Sequence, residues 1–246
     1  MSREIFVHQL PDDIAPGALT GSIAVIIDVL RASTTIVHAL AAGAECVVPF
    51  GDVEAARQFA ADQPTGSVVL GGERHGVLID GFHLGNSPES YTQQSVGGRI
   101  VAFTTTNGTR ALLRSLDADR IVIGSFVNLR AVADVLAEAN QPVHLVCAGT
   151  DGRVTSEDVL CAGTIAAELQ DRGAAITPTG VATEAALQFC RTDGCTPEKV
   201  LASLRASDGG RNLIELGYDA DIVRSSQRDL FRIVPEFERS TGRIVA

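Results

Sequence analysis

No apolar run in this 246-residue chain approaches the roughly 18 residues that a membrane-spanning helix needs. The N-terminus opens on charged and polar residues where a secretory signal would place an apolar core, so export is not expected. Histidine is sparse, at five residues, and none of the five cysteines (Cys46, Cys147, Cys161, Cys190 and Cys195) forms a C-x-x-C pair. Neither a zinc site nor a disulfide framework is therefore expected, and a reduced, cytoplasmic protein fits best. Basic residues are scattered singly against a formal net charge of −10, which argues against a nucleic-acid or anionic-membrane partner. Low-complexity stretches and long linkers are also missing.

What remains is an ordinary globular composition, 45% apolar and 20% charged, on a chain long enough to bury a full core. Lys199 is the only lysine. The other basic residues are arginines, whose planar fork suits bidentate contacts to phosphate or sulfonate. An acidic protein that handles an acidic ligand needs local arginines or a divalent cation to reverse the field.

Strand-like runs near Glu4–Gln9, Ser22–Ile27, Glu45–Pro49, Ser67–Leu70, Arg99–Phe103, Arg120–Ile123 and Pro142–Cys147 alternate with helical patterns. The helices are predicted near Thr34–Ala42, Val53–Asp62, Gly108–Leu116, Leu129–Glu138 and Thr155–Arg172. Strands apolar on both faces belong in a mostly parallel or mixed sheet covered by helices, so a three-layer α/β/α class is expected. The chain reads as a single domain, 1–246, with a more helical C-terminal part. A helical subdomain at 177–230 is predicted from short helices near Gly180–Gln188, Pro197–Ala206 and Gly210–Leu216, packed back by a segment around Leu230–Val234.

Ligands in such folds sit beyond the carboxyl ends of the strands, where four segments carry chemistry. In Ile27-Asp28-Val29-Leu30-Arg31-Ala32-Ser33-Thr34-Thr35 an apolar strand delivers a carboxylate, an arginine and three hydroxyls into a helix start. Free amides there attract an anion, and the nearby acid calls for a cation between them. Phe103-Thr104-Thr105-Thr106-Asn107-Gly108-Thr109-Arg110 repeats the strand, hydroxyl-rich turn and helix order. The loop from Gly71-Gly72-Glu73-Arg74 to Asn86-Ser87-Pro88 offers Glu73 to a cation, and Arg74 and Asn86 to substrate oxygens. Arg74-His75-Gly76 also matches a histidine-phosphatase tripeptide, but His144, the later histidine such chemistry needs, reads as mid-strand. Cys147-Ala148-Gly149-Thr150-Asp151-Gly152-Arg153 is a C-x5-R run between strand and helix, the layout of cysteine phosphatases. A buried strand-end cysteine explains Cys147 equally, with Arg153 the better phosphate ligand. Glu157 and Asp158 open the next helix, where acids suit the dipole and one of them could complete an oxygen-ligand Mg²⁺ site with Asp28.

Together these segments resemble the 2-phosphosulfolactate phosphatase family of coenzyme M biosynthesis. The matching pieces are IDVLRASTT (Ile27 to Thr35), GGER (Gly71 to Arg74), GFHLGNSP (Gly81 to Pro88), TTTNGTRAL (Thr104 to Leu112), IGSF (Ile123 to Phe126), and CAGTDGR with SEDVLCAG (Cys147 to Gly163). The tail is similar more loosely, through Leu216-Gly217, Asp221-Ile222 and Val234-Pro235. His83 stands where an acid is usual in the family, and Gly209-Gly210 where a His-Gly pair is usual. The resemblance implies Mg²⁺-dependent hydrolysis of 2-phosphosulfolactate to 3-sulfolactate and phosphate, on an α/β/α fold.

Asp28, Arg31 and Arg153 are thus the expected catalytic residues. Ser33, Thr34, Arg74, Asn86, Thr105, Thr106, Asn107 and Arg110 are expected to bind a small phosphorylated acid. Asp28, Glu73, Glu157 and Asp158 are expected to hold Mg²⁺. Two rival readings are a metal-independent cysteine phosphatase using Cys147 and Arg153, and a non-catalytic binder of small anions. A symmetric homodimer is a further expectation for a small cytoplasmic enzyme.

Overall fold

The computed structural model describes residues 2–194 and 196–246, so Cys195 lies outside the described residues. The predicted alternation is present: β1 (Arg3–His8), β2 (Ile23–Ile27), α1 (Ala32–Ala41), β3 (Cys46–Phe50), α2 (Val53–Ala61) and β4 (Val68–Arg74). It continues through β5 (Val77–Leu78), α3 (Gln93–Val96), β6 (Ile100–Thr104), α4 (Gly108–Arg114), β7 (Arg120–Gly124), α5 (Leu129–Glu138), β8 (Val143–Cys147) and α6 (Ser156–Asp171). A short β9 (Ile176–Pro178) precedes four helices, α7 (Val181–Asp193), α8 (Pro197–Ala206), α9 (Asp208–Glu215) and α10 (Asp219–Ser226). The chain closes on a hairpin, β10 (Glu236–Glu238) and β11 (Arg243–Val245). No described helix is long and apolar enough to cross a membrane.

The strands form one mixed sheet in the order β5-β4-β6-β3-β11-β10-β7-β2-β8-β1-β9. Every residue of β2, β6 and β8 is buried, because helices cover both faces of these parallel strands. The final hairpin divides the parallel strands into two groups, β4-β6-β3 and β7-β2-β8-β1-β9. It meets each group through a single residue pair, Glu236 with Val122 and Ile244 with Val47, both antiparallel. The two groups nevertheless share one core: Ala24, Ile26, Ile121 and Ile123 pack with Val47, Val101, Phe103 and residues of α1 and α4. This convergence brings the carboxyl ends of β2, β4, β6 and β8 toward one another.

The other side of β1, β2 and β8 is covered by α5 and α6, and the C-terminal helices join that same core through Leu187, Leu204, Leu213 and Ile222. The segment near 230–234 packs back as its sequence suggests, with Phe231 and Ile233 against the shared core. The hairpin after it is not evident in the sequence. Its strands are three residues each, and Glu236-Phe237-Glu238 carries two acids into the middle of a sheet. Arg120 offsets one of them, donating from Nε and Nη2 to Glu236 at 3.0 and 2.8 Å.

Helices α6 and α7 approach closely at Gly163, where an added Cβ would lie 2.0 Å from the Ala186 carbonyl oxygen. Gly163→Ala is therefore expected to lower stability by about 1–3 kcal/mol through overpacking against rigid backbone. The urea midpoint checks this, and an unchanged midpoint would mean that the two helices separate freely.

Candidate active site

The carboxyl ends of β2, β4, β6 and β8, closed over by α9, surround a cleft of about 280 Å³. Its walls include Asp28 and Arg31 after β2, Glu73, His75 and Gly76 around the β4–β5 turn, and Thr105, Thr106 and Asn107 after β6. Asn86 from the long loop, Thr150 and Asp151 after β8, and Asp208, Gly209 and Asn212 of α9 complete the lining. Arg31 is the one arginine among the described residues that line it.

Asp28 is held at the start of α1. Its Oδ1 accepts the Ala32 amide at 3.3 Å, and its carbonyl accepts the Ser33 amide at 2.9 Å. The first amides of α1 are thus engaged by Asp28 itself, which corrects the expectation that they remain open to an anion. Gly108 lies against the same carboxylate, its Cβ position only 3.0 Å from Asp28 Oδ2, so glycine lets α4 begin there. Burial first, then the neighbouring charges of Glu73 and Glu157, push the Asp28 carboxyl up to about 7, against the lowering pull of the Ala32 amide and Arg31.

Hydrogen bonds tie the segments around the cleft to one another. Asp221 Oδ2 of α10 accepts Arg31 Nη1 at 2.6 Å, and Arg31 Nη2 donates to the Gly76 carbonyl at 2.9 Å. The Gly76 amide donates to Glu73 Oε2 at 2.6 Å, and Glu73 Oε1 accepts the Thr106 amide at 3.1 Å and hydroxyl at 3.3 Å. Asn107 Oδ1 then accepts the Asp151 amide at 3.2 Å. Two cleft-lining residues keep unpartnered buried atoms, Thr105 Oγ1 and Asn86 Oδ1.

Behind this surface, Glu157 is buried with Oε2 unpartnered, and its Oε1 lies 2.6 Å from where a Cβ on Gly209 would stand. Burial raises its carboxyl above the usual range. Asp158 differs in kind: Oδ1 accepts the Val29 amide at 2.8 Å, while Oδ2 accepts the Gly149 amide and Thr155 hydroxyl, both at 3.1 Å. These three donors make Asp158 a tie between the loop after β2 and the loop after β8, and neither it nor Glu157 is among the described residues that line the cleft. Its carboxyl is also raised, by burial and by Glu157 and Asp28. No group of three or more His, Cys, Asp or Glu side chains is arranged as a ready metal cage among the described residues.

Several other expected ligands are placed elsewhere. Ser33 accepts the Asp28 amide and donates to the Ile26 carbonyl, and Thr34 bonds the Val29 carbonyl and the Ser125 hydroxyl. Both are buried turn-stabilising hydroxyls. Arg74 bonds the Glu73 and Gly51 carbonyls and the Thr104 hydroxyl, and Arg110 pairs with Asp12. Arg153 is exposed, and none of these three arginines is among the cleft-lining residues. Cys147 is fully buried in the core under α6, and burial with the nearby Asp158 carboxylate drives its thiol well above the ordinary range. This setting does not support a thiolate nucleophile at Cys147. His144 bonds His8 at 2.8 Å within the sheet, which also leaves His75 without a catalytic histidine partner.

Thr150 and Asp151 lie inside the C-x5-R run, whose expected ligands are Cys147 and Arg153, and Gly209 stands where a His-Gly pair is usual in the family that the chain resembles. Asp208 and Asn212 of α9 carry no sequence signal, and only the folded chain brings them to the cleft.

Comparison with known proteins is consistent over nearly the whole chain. A family model described as 2-phosphosulpholactate phosphatase matches residues 8–240. A probable 2-phosphosulfolactate phosphatase of Symbiobacterium thermophilum is 42% identical over 227 residues, covering 92% of this chain and 95% of that protein. Proteins of the same description from Clostridium beijerinckii, 35% identical over 92% of this chain and 93% of theirs, and Carboxydothermus hydrogenoformans, 37% identical over 90% and 88%, are also similar.

The raised Asp28 carboxyl has a sign that can be measured. Its unfolded value is near 3.8 and its folded value about 7, so the stability it contributes is complete below about pH 4 and is lost as pH rises through 7. Asp28→Asn, which keeps an acceptor for the Ala32 amide, is expected to stabilise the metal-free protein at pH 8 more than at pH 5. Urea midpoints at the two pH values check this; an equal effect at both would contradict the burial of Asp28 among other carboxylates.

Proposed function

The chain belongs to the 2-phosphosulfolactate phosphatase family, and from that membership we propose that it hydrolyses 2-phosphosulfolactate to 3-sulfolactate and phosphate, with Mg²⁺ as cofactor. The protein is a phosphatase, a phosphoric monoester hydrolase. The observation that carries the finer reading is the meeting of Arg31, Asp28 and Glu73 in the lining of one cleft rich in oxygen ligands. Arginine is suited to the acidic groups of a small multiply charged ester, and the carboxylates to a hard cation. Coenzyme M biosynthesis is the setting that the family resemblance implies.

The residues present fit a divalent cation. The cleft presents Asp28, Glu73, Asp151 and Asp208 against a single arginine, and Glu157 keeps a buried oxygen without a donor behind Gly209. An all-oxygen donor set selects a hard ion such as Mg²⁺, which takes one or two carboxylates and leaves its other positions to water and substrate. Asp28 would hold it with one further carboxylate, Glu157 or Glu73. When bound, Mg²⁺ supplies neutralisation of the phosphoryl oxygens, the main help a site can give phosphoryl transfer.

The chain's own groups bind and orient. Arg31 offers its remaining guanidinium N–H groups to the substrate's sulfonate or carboxylate. The Thr105 hydroxyl, without a partner inside the protein, donates to an oxyanion, and the Asn86 amide and Asn107 bracket the same space. The glycine-lined wall at Gly209 lets substrate come close to Glu157. Water is consumed, the phosphorus–oxygen ester bond breaks, and the leaving alcohol takes a proton, giving the hydroxy acid and phosphate.

Phosphate release from 2-phosphosulfolactate tests the reading. We expect release with Mg²⁺, loss in excess chelator, recovery on adding the ion back, and a fall of at least about 100-fold in kcat for Asp28→Asn. Cys147→Ser is expected to retain activity. Undiminished release in chelator together with an inactive serine variant would overturn the proposal in favour of cysteine chemistry, and tight ester binding without release would overturn it in favour of a binding role.

A further inference from the structure

Arg31 does not hold its own position. A side chain with four rotatable bonds reaches the cleft 3% exposed, and every contact that fixes its guanidinium comes from elsewhere in the chain. Asp221 Oδ2, buried in α10, takes Nη1 at 2.6 Å, the shortest of these contacts, and the Tyr218 ring lies 4.6 Å from the guanidinium carbon. The Gly76 carbonyl takes Nη2. Asp221 Oδ2 is in turn fixed by the Ser87 hydroxyl, which donates to it at 2.8 Å from the long loop that also carries Asn86. Asp221 is itself not among the residues lining the cleft.

We propose that Asp221 is a positioning residue: with Ser87 and Tyr218 it aims the Arg31 guanidinium into the cleft, so that α10 sets the enzyme's grip on the acidic group of its substrate. The inference rests on the reading of the cleft as the phosphoester site, and it adds a residue that acts only through Arg31. The physics favours this division of labour. A buried guanidinium needs a fixed partner, since desolvation leaves an unpaired one strongly unfavourable. A fork held from one side presents its remaining N–H groups in one direction. Misplacing such a group by about 1 Å costs on the order of 100-fold in rate.

The proposal separates from a merely structural role through a double-mutant cycle. Asp221→Asn is expected to raise KM for the phosphoester about tenfold or more, and to cost nothing further in an Arg31→Ala background. Multiplicative losses in the two variants would overturn it, as would full activity in a folded Asp221→Asn protein. Should Asp221→Asn fail to fold, Ser87→Ala loosens the carboxylate without leaving a buried charge unpaired. It is expected to give a smaller KM increase that likewise vanishes beside Arg31→Ala, and full additivity there would overturn the proposal.

A second readout does not depend on turnover. In protein labelled with ¹⁵N-arginine, the Arg31 side-chain signals should report a held guanidinium in the parent and faster rotation in Asp221→Asn. If the parent releases no phosphate, the functional reading fails while this spectrum still decides the positioning role. Unchanged Arg31 signals in the variant would overturn that role even if the enzyme is active.

Discussion

The described residues bury five carboxylates, Asp28, Glu73, Glu157, Asp158 and Asp221, but only one arginine, Arg31. Removing that many acids from water is unfavourable unless each finds donors or cations, and the rest of the site is arranged around meeting this demand. Asp158 is met by two backbone amides and a hydroxyl, Glu73 by Gly76 and Thr106, and Asp221 by Arg31 and Ser87. Asp28 and Glu157 are left short. Asp28 has one long hydrogen bond and a carboxyl raised to about 7, and Glu157 has a buried oxygen with no donor. The deficit is therefore localised beside the cleft, where a divalent cation would meet it and keep its remaining positions for a bound phosphoester.

The fold supplies the convergence that makes this crowding possible. Two groups of parallel strands, joined by a short antiparallel hairpin, pack a shared core around α1 and α4 and aim four strand ends at one cleft. The C-terminal helices are more than a cover. They pack into the second core through Leu204, Leu213 and Ile222, and from that support deliver Asp221 and Tyr218 to Arg31 and Gly209 to the neighbourhood of Glu157. Close approaches at Gly108 and Gly209 keep side chains out of the space beside the two under-satisfied acids.

Much of this was legible in the chain. The seven main strands and the helices between them follow from apolar runs bounded by turn formers, and Asp28, Arg31, Glu73, Asn86, Thr105, Thr106 and Asn107 are all brought together at the strand ends. Which arginine faces inward was not legible. Arg31, Arg74, Arg110 and Arg153 all follow strands, but a long side chain turns toward whichever acceptor lies nearest, and Asp12 and the Gly51 carbonyl are supplied by distant segments. The hydroxyls of Ser33 and Thr34 look equally available in sequence, yet the tight turn after β2 consumes them. The lining from α9 is set by tertiary packing alone, and the two three-residue strands of the hairpin are too short for periodicity to reveal.

Calorimetric titration of Mg²⁺ into the metal-free protein at neutral pH tests the central claim most directly, because it asks whether the uncompensated carboxylates recruit a cation before any chemistry occurs. The account predicts saturable binding that is abolished by Asp28→Asn and weakened by Glu157→Gln. Absence of binding at millimolar Mg²⁺, with or without inorganic phosphate present, or binding untouched by either substitution, would contradict it.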